Sequence, residues 1–182
     1  IAYISINSFS ERTNEELSTA LDSINREGAK GIILDLRGNP GGLLSEVVDV
    51  TSRFLKEGTV VSVVDNKGTR SSLPVKPGET VTSLSMVVLT DNRSASGSEV
   101  LAGALQDYGR AVTAGTKTYG KGSVNTLHRL QDGSGIYITI ARWLTPSGRL
   151  IEGKGIEPDY ELTSKGDAVS YTHLTLPTKR IV

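Results

Sequence analysis

The chain has 182 residues, 37% of them hydrophobic and 20 of them glycine, which is enough for one domain with a sizeable core and argues against a second full domain. Lysine plus arginine and aspartate plus glutamate balance at 20 each, so no net field draws the protein to nucleic acid or to an anionic membrane, although a local patch stays open. The absence of cysteine excludes disulfides and thiolate chemistry, and it fits a reducing and an oxidising compartment equally well.

No apolar run approaches the roughly 18 residues of a membrane-crossing helix, and residues 1 to 20 lack the basic start and apolar stretch of a signal peptide. The compartment is therefore not written in these residues. Because the first residue is Ile1 rather than Met, we expect a fragment, with room for a targeting segment upstream.

Ile1 to Ile6 alternates in part as a strand does, and Thr13-Asn14-Glu15-Glu16 offers a capping box ahead of a helix with Leu17, Ala20, Leu21 and Ile24 on one face. Gly28 is expected to end it. Gly31 to Leu36 is a short, nearly continuous apolar run, as expected of a strand covered on both faces. After the glycine turn at 38–42, Leu43, Leu44, Val47, Val48, Thr51, Phe54 and Leu55 recur at helical spacing, and Thr59 to Val64 opens a β-rich section. Met86 to Leu89 reads as another buried strand. A third helix follows, with Val100, Leu101, Ala104, Leu105 and Tyr108 on its apolar face and Gly109 at its end. Residues 111–114, 124–130 and 136–140 read as further strands. This alternation predicts an α/β core, without internal repeats or low-complexity linkers.

The run Asn92-Arg93-Ser94-Ala95-Ser96-Gly97-Ser98-Glu99 sits where the buried strand gives way to the third helix, and Lys121 follows in Tyr119-Gly120-Lys121-Gly122-Ser123. A serine hydroxyl needs a neighbouring base before it becomes a nucleophile, and the first turn of a helix offers amides and a dipole to charge developing beside it. Lysine serves as that base only when neutral, so the fold is expected to bury Lys121 among apolar or cationic neighbours. The chain has only His128 and His173, neither in a recognisable triad motif, which makes a serine–histidine–aspartate arrangement the weaker reading. Blander readings stand beside these. Ser94, Ser96 and Ser98 are good helix caps, Lys121 between glycines is ordinarily a solvated loop lysine, and Gly38-Asn39-Pro40-Gly41-Gly42 is also an ordinary tight turn. Gly115-x-x-x-x-Gly120-Lys121 has the outline of a phosphate loop, but Gly122 replaces the magnesium-binding Ser or Thr and a strand is expected to follow.

Three further stretches complete the pattern: Leu34-Asp35-Leu36-Arg37-Gly38-Asn39-Pro40-Gly41-Gly42, Ala141-Arg142-Trp143-Leu144-Thr145-Pro146-Ser147-Gly148-Arg149, and Gly153-Lys154-Gly155-Ile156-Glu157-Pro158-Asp159. With the serine and lysine motifs, in this order and over residues 1 to about 162, the chain resembles the C-terminal processing peptidases, or tail-specific proteases. The resemblance implies an α/β fold with a mixed β-sheet core and flanking helices, of the crotonase and Clp-protease kind. It implies a serine endopeptidase with Ser96 as nucleophile, Lys121 as base and the amides of Gly42 and Gly97 as the oxyanion hole, needing no metal or cofactor. Where the family has a glutamine that orients the lysine, this chain has Asn125, expected either to accept a hydrogen bond from Lys121 in that role or to be only a strand residue, and where alanine is usual it has Gly97, which keeps the amide donor. Substrates are expected to be proteins with accessible C-terminal tails, cut through an acyl-enzyme outside the cytoplasm, in the periplasm or cell envelope. No nucleic acid partner is expected. A PDZ module is usual in the family and finds no room here, so residues 1–168 are expected to be the protease core alone. Residues 169–182 depart from the pattern and are expected to be a tail foreign to it. Two rivals remain: a catalytically inactive peptide-binding protein on the same fold, and an acyl-CoA-handling enzyme of similar architecture.

Overall fold

A computed structural model describes residues 1–77, 82–162 and, for the backbone, 179–181. Ten strands and three helices follow one another along these residues. The first half is β1 (Ala2–Ser5), α1 (Thr13–Arg26), β2 (Gly31–Asp35), α2 (Leu44–Ser52), β3 (Thr59–Asp65) and β4 (Arg70–Pro74). The second is β5 (Ser85–Thr90), α3 (Gly97–Asp107), β6 (Val112–Gly115), β7 (Ser123–Arg129), β8 (Gly135–Leu144), β9 (Tyr160–Glu161) and β10 (Lys179–Ile181). The expected α/β class holds, with the strands divided between a parallel and an antiparallel sheet. Of the tail set apart in the sequence, 169–178 and 182 lie outside the described residues, and the backbone of 179–181 pairs with β1.

The main sheet has the order β10-β1-β2-β5-β6-β9, and every pairing in it is parallel. From β1 through β6 each new strand joins the same growing edge. Helix α2 packs between α1 and α3, so the three helices share one face of the sheet, as right-handed connections between parallel strands require. Two register rows, Ala2–Ile32–Met86 and Ile4–Leu34–Val88, turn to that face and are buried with Leu21, Ile24, Val47, Val50, Leu101 and Leu105 of the helices. On the other face Ile33 and Val87 are only half-buried, so β2 is fully covered on one side rather than on both. Packed against α2, β3 and β6, helix α3 is buried from Gly97 through Leu105, its Ser98 and Glu99 included.

The second sheet, β4-β3-β8-β7, is antiparallel. Its long strand β8 is shared: Ala141 to Leu144 pairs with β3 and buries Ala141, Trp143 and Leu144 while Arg142 stays exposed, whereas 135–140 pairs only with the outer strand β7 and is exposed.

Two local expectations change. Thr13 does not cap α1: its hydroxyl donates to the Ser8 carbonyl and accepts the Ser10 amide, so the chain folds back on itself and the helix begins at Thr13. Strands β4 and β9 were not anticipated, because Arg-Ser-Ser-Leu-Pro carries no alternation and two residues carry no period.

Three carboxylates pin the ends of these elements. Asp35, at the end of β2, accepts a two-pronged ion pair from Arg37 and the Tyr3 hydroxyl. Asp91, just after β5, accepts the amides of Gly38, Arg93 and Ser94. Asp107, closing α3, accepts the Ser147 amide and the Arg149 guanidinium. Burial pushes each carboxyl up, but the hydrogen bonds more than reverse it: those of Arg37 and Tyr3 for Asp35, of Gly38, Arg93 and Ser94 for Asp91, and of Thr145 and Ser147, with the Arg149 charge, for Asp107. All three are held below the ordinary carboxylate value. Their contribution to stability is therefore complete above about pH 4 and is lost as the pH falls through that value and then through the lower folded-state values. A Tm series should stay level from about pH 7 to about pH 5 and fall below about pH 4. A level Tm through about pH 2 would rule this out.

Candidate active site

Three loops meet at the carboxyl ends of adjacent parallel strands, which is where open α/β sheets gather their ligands. They are 36–43 after β2, 91–96 after β5, and 116–122 after β6. Hydrogen bonds lace the first two together: the Ser94 hydroxyl donates to the Leu36 carbonyl at 2.8 Å, and the Ala95 amide and Ser98 hydroxyl donate to the Asn39 carbonyl at 3.0 and 2.9 Å. Asn39 is fully buried, donating to the Ile6 carbonyl and accepting the Gly41 amide.

These bonds separate the three serines, which as helix caps are equivalent and among which only the resemblance singles out Ser96. Ser94 and Ser98 have no exposed surface and spend their hydroxyls on the neighbouring loop, while Ser96 is half-buried. Ser96 occupies the residue before α3 with φ 57° and ψ −115°, the only non-glycine positive φ among the described residues. Such a conformation costs on the order of 1–3 kcal/mol and persists where its surroundings impose it, as at the sharp strand-to-helix turn that presents a nucleophile.

Gly41 lies directly against this turn. A Cβ there would come within 2.7 Å of the Ser96 Cβ and 2.8 Å of the Gly97 nitrogen, so only glycine lets the loops approach this closely. The N–H groups of Gly42 and Gly97 donate to no acceptor among the described residues, although their neighbours Gly41, Leu43, Ser98 and Glu99 are all engaged.

Lys121 is brought to Ser96 through its backbone. Glu99, fully buried in the first turn of α3, accepts the Ser96 and Lys121 amides on the same oxygen, each at 2.8 Å. Its second oxygen accepts the Gly120 amide and the Thr118 hydroxyl, each at 2.6 Å. The side chain of Lys121 differs from expectation. It is exposed, not buried, and no hydrogen bond joins it to Ser96, because the glycine-flanked loop turns it outward from the packed layers. Asn125 also departs from its expected role. Its Nδ2 donates to Ser123 on its own strand, its Oδ1 accepts the Thr139 hydroxyl across the β7–β8 hairpin, and it makes no hydrogen bond to Lys121, the register shift at Val124/Asn125 lying beside it. His128 is exposed on β7, and His173 lies outside the described residues.

Glu99, Asn39 and Thr118 were given no role from sequence. The spacing Ser96-x-x-Glu99, the signature of a reciprocal helix cap, is the signal that could have found the first. Two motif stretches prove to be bracing: Ser147 and Arg149 bind Asp107, and Asp159 accepts the amide and hydroxyl of Thr113. Replacing Glu99 by Gln turns an NH2 toward two of the four donors. We expect a loss of about 2–5 kcal/mol in urea denaturation, together with loss of any activity that needs Ser96 and Lys121 side by side. Unchanged stability would show that the carboxylate is dispensable.

The model of peptidase family S41 matches residues 1–162. A carboxyl-terminal-processing protease of Synechocystis is 41% identical over 177 residues, covering 97% of this chain and 41% of the relative. A carboxy-terminal processing protease of Bacillus subtilis is 40% identical over 159 residues, covering 87% of this chain and 34% of the relative. Among solved structures, the photosystem II D1 C-terminal processing protease superposes with a TM-score of 0.85 at 36% identity, over 90% of this chain and 42% of that one. The chain thus spans about two fifths of the Synechocystis relative's length. With the family model reaching from the first strand to the last residue before 163, the chain belongs to peptidase family S41.

Proposed function

We propose that this chain is the catalytic core of a serine endopeptidase that cuts proteins near their C-termini. Ser96 Oγ attacks the scissile carbonyl, Lys121 Nζ takes its proton and passes it to the leaving amine, and water then hydrolyses the acyl-enzyme. The observation that carries this reading is the single Glu99 oxygen that accepts both the Ser96 and the Lys121 amide, because it holds the two residues side by side from different strands. The free amides of Gly42 and Gly97, beside the strained serine turn, are the donors for the developing oxyanion. One such donor is worth about 2.7–4 kcal/mol of barrier.

An exposed ammonium is no base, so the reading requires Lys121 to be covered when the substrate lies over the loops. A peptide backbone seated across Ser96 expels water from the exposed Gly42 and Lys121 together. We place the substrates among proteins with accessible C-terminal tails, following the names of the relatives, and the site of action outside the cytoplasm. The domain division is a core of 1–168 followed by a tail.

Ser96→Ala and Lys121→Ala should each remove cleavage of a tail-bearing peptide while leaving the circular dichroism spectrum unchanged. A fluorophosphonate should label the native chain at Ser96 and the lysine variant far more slowly. Retained cleavage in either variant would refute the assignment, and a native chain inert to the fluorophosphonate would favour the inactive peptide-binding alternative.

A further inference from the structure

Residues 116–122 have no regular secondary structure, yet their last three amides are all engaged. Gly120 and Lys121 donate to the two oxygens of Glu99, and Gly122 donates to Glu152 Oε2 at 2.7 Å. Glu152 opens a tight turn at 152–155 on which the lysine loop rests. The Gly153 amide donates to the Gly120 carbonyl at 2.9 Å, and the Trp143 amide donates to the Gly122 carbonyl at 2.7 Å. The contact is so close that a Cβ on Gly122 would collide with the Glu152 amide nitrogen and stand 2.9 Å from Ile151.

The Lys121 ammonium makes no hydrogen bond or ion pair with a described residue, so nothing at the far end of the side chain steers it. Its direction is set by the backbone alone: by Glu99 on one side of the residue and by Glu152 on the other. We propose that Glu152 is a positioning residue for the lysine base, its carboxylate fixing the Gly122 amide and so the stretch of backbone from which the Lys121 side chain departs. This rests on the serine–lysine reading above. Two carboxylates from distant parts of the chain thus clamp three successive amides, the buried one setting the position of Lys121 and the half-buried one its heading.

The test compares Glu152→Ala and Glu152→Gln with Lys121→Ala in the full chain, following peptide cleavage, fluorophosphonate labelling and Tm. Glu152→Ala should lower kcat and the labelling rate by about 100-fold, with KM and Tm close to native. Glu152→Gln keeps an acceptor oxygen and should retain most of the rate. If Glu152→Ala cleaves at the native rate while Lys121→Ala is dead, the inference falls and the serine–lysine reading stands. It falls equally if Glu152→Gln is as slow as Glu152→Ala, or if Glu152→Ala loses its Tm along with its rate. A fully active Lys121→Ala protein, or a native chain that neither labels nor cleaves, overturns both.

Discussion

A carboxylate with no contact with solvent sits at the junction of two crossovers, and the geometry of the whole site follows from how its oxygens are used. Taking Glu99 out of water is costly unless each lone pair finds a donor. Four donors converge on it, two per oxygen, from the serine turn and from the lysine loop. Those segments are joined to different strands of the parallel sheet, so the packing of α3 against the sheet and the meeting of the loops are one event. Removing the carboxylate would leave buried amides orphaned on both sides, which links chemistry to folding through a single residue.

The remainder of the frame keeps that junction in place. The parallel strands β2, β5 and β6 deliver three loops to one edge of the sheet, and Asn39 and Gly41 let the first of them lie on the second without an intervening side chain. Farther out, Asp107 and Asp159 tie the late turns to α3 and β6. The antiparallel sheet contributes the buried end of β8, where Trp143 supports the loop that carries Lys121.

Much of this could be read from the residues. The apolar periods of α1 and α3 and the unbroken run of β2 are local signals, and burial then enforces what they announce. The serine and lysine motifs were legible as motifs, but their meeting was not, because it depends on a carboxylate whose partners lie far along the chain. The exposure of Lys121 was misread for the same reason: flanking glycines permit close approach of the backbone without telling which way the side chain turns. Asn125 was assigned by position relative to the lysine, and only the strand register shows that it faces Thr139 instead. β4 was invisible because its pairing with β3 compensates for a polar sequence without strand character.

The backbone at Ser96 also bears on endurance. A residue with a Cβ held at φ 57° is less comfortable than glycine in the same place. An exchange for glycine would relax the bend and yield a more heat-resistant protein, whereas a nucleophile at this place, as proposed above, demands the contorted form. Pressure for longevity and pressure for turnover therefore pull this one position in opposite directions.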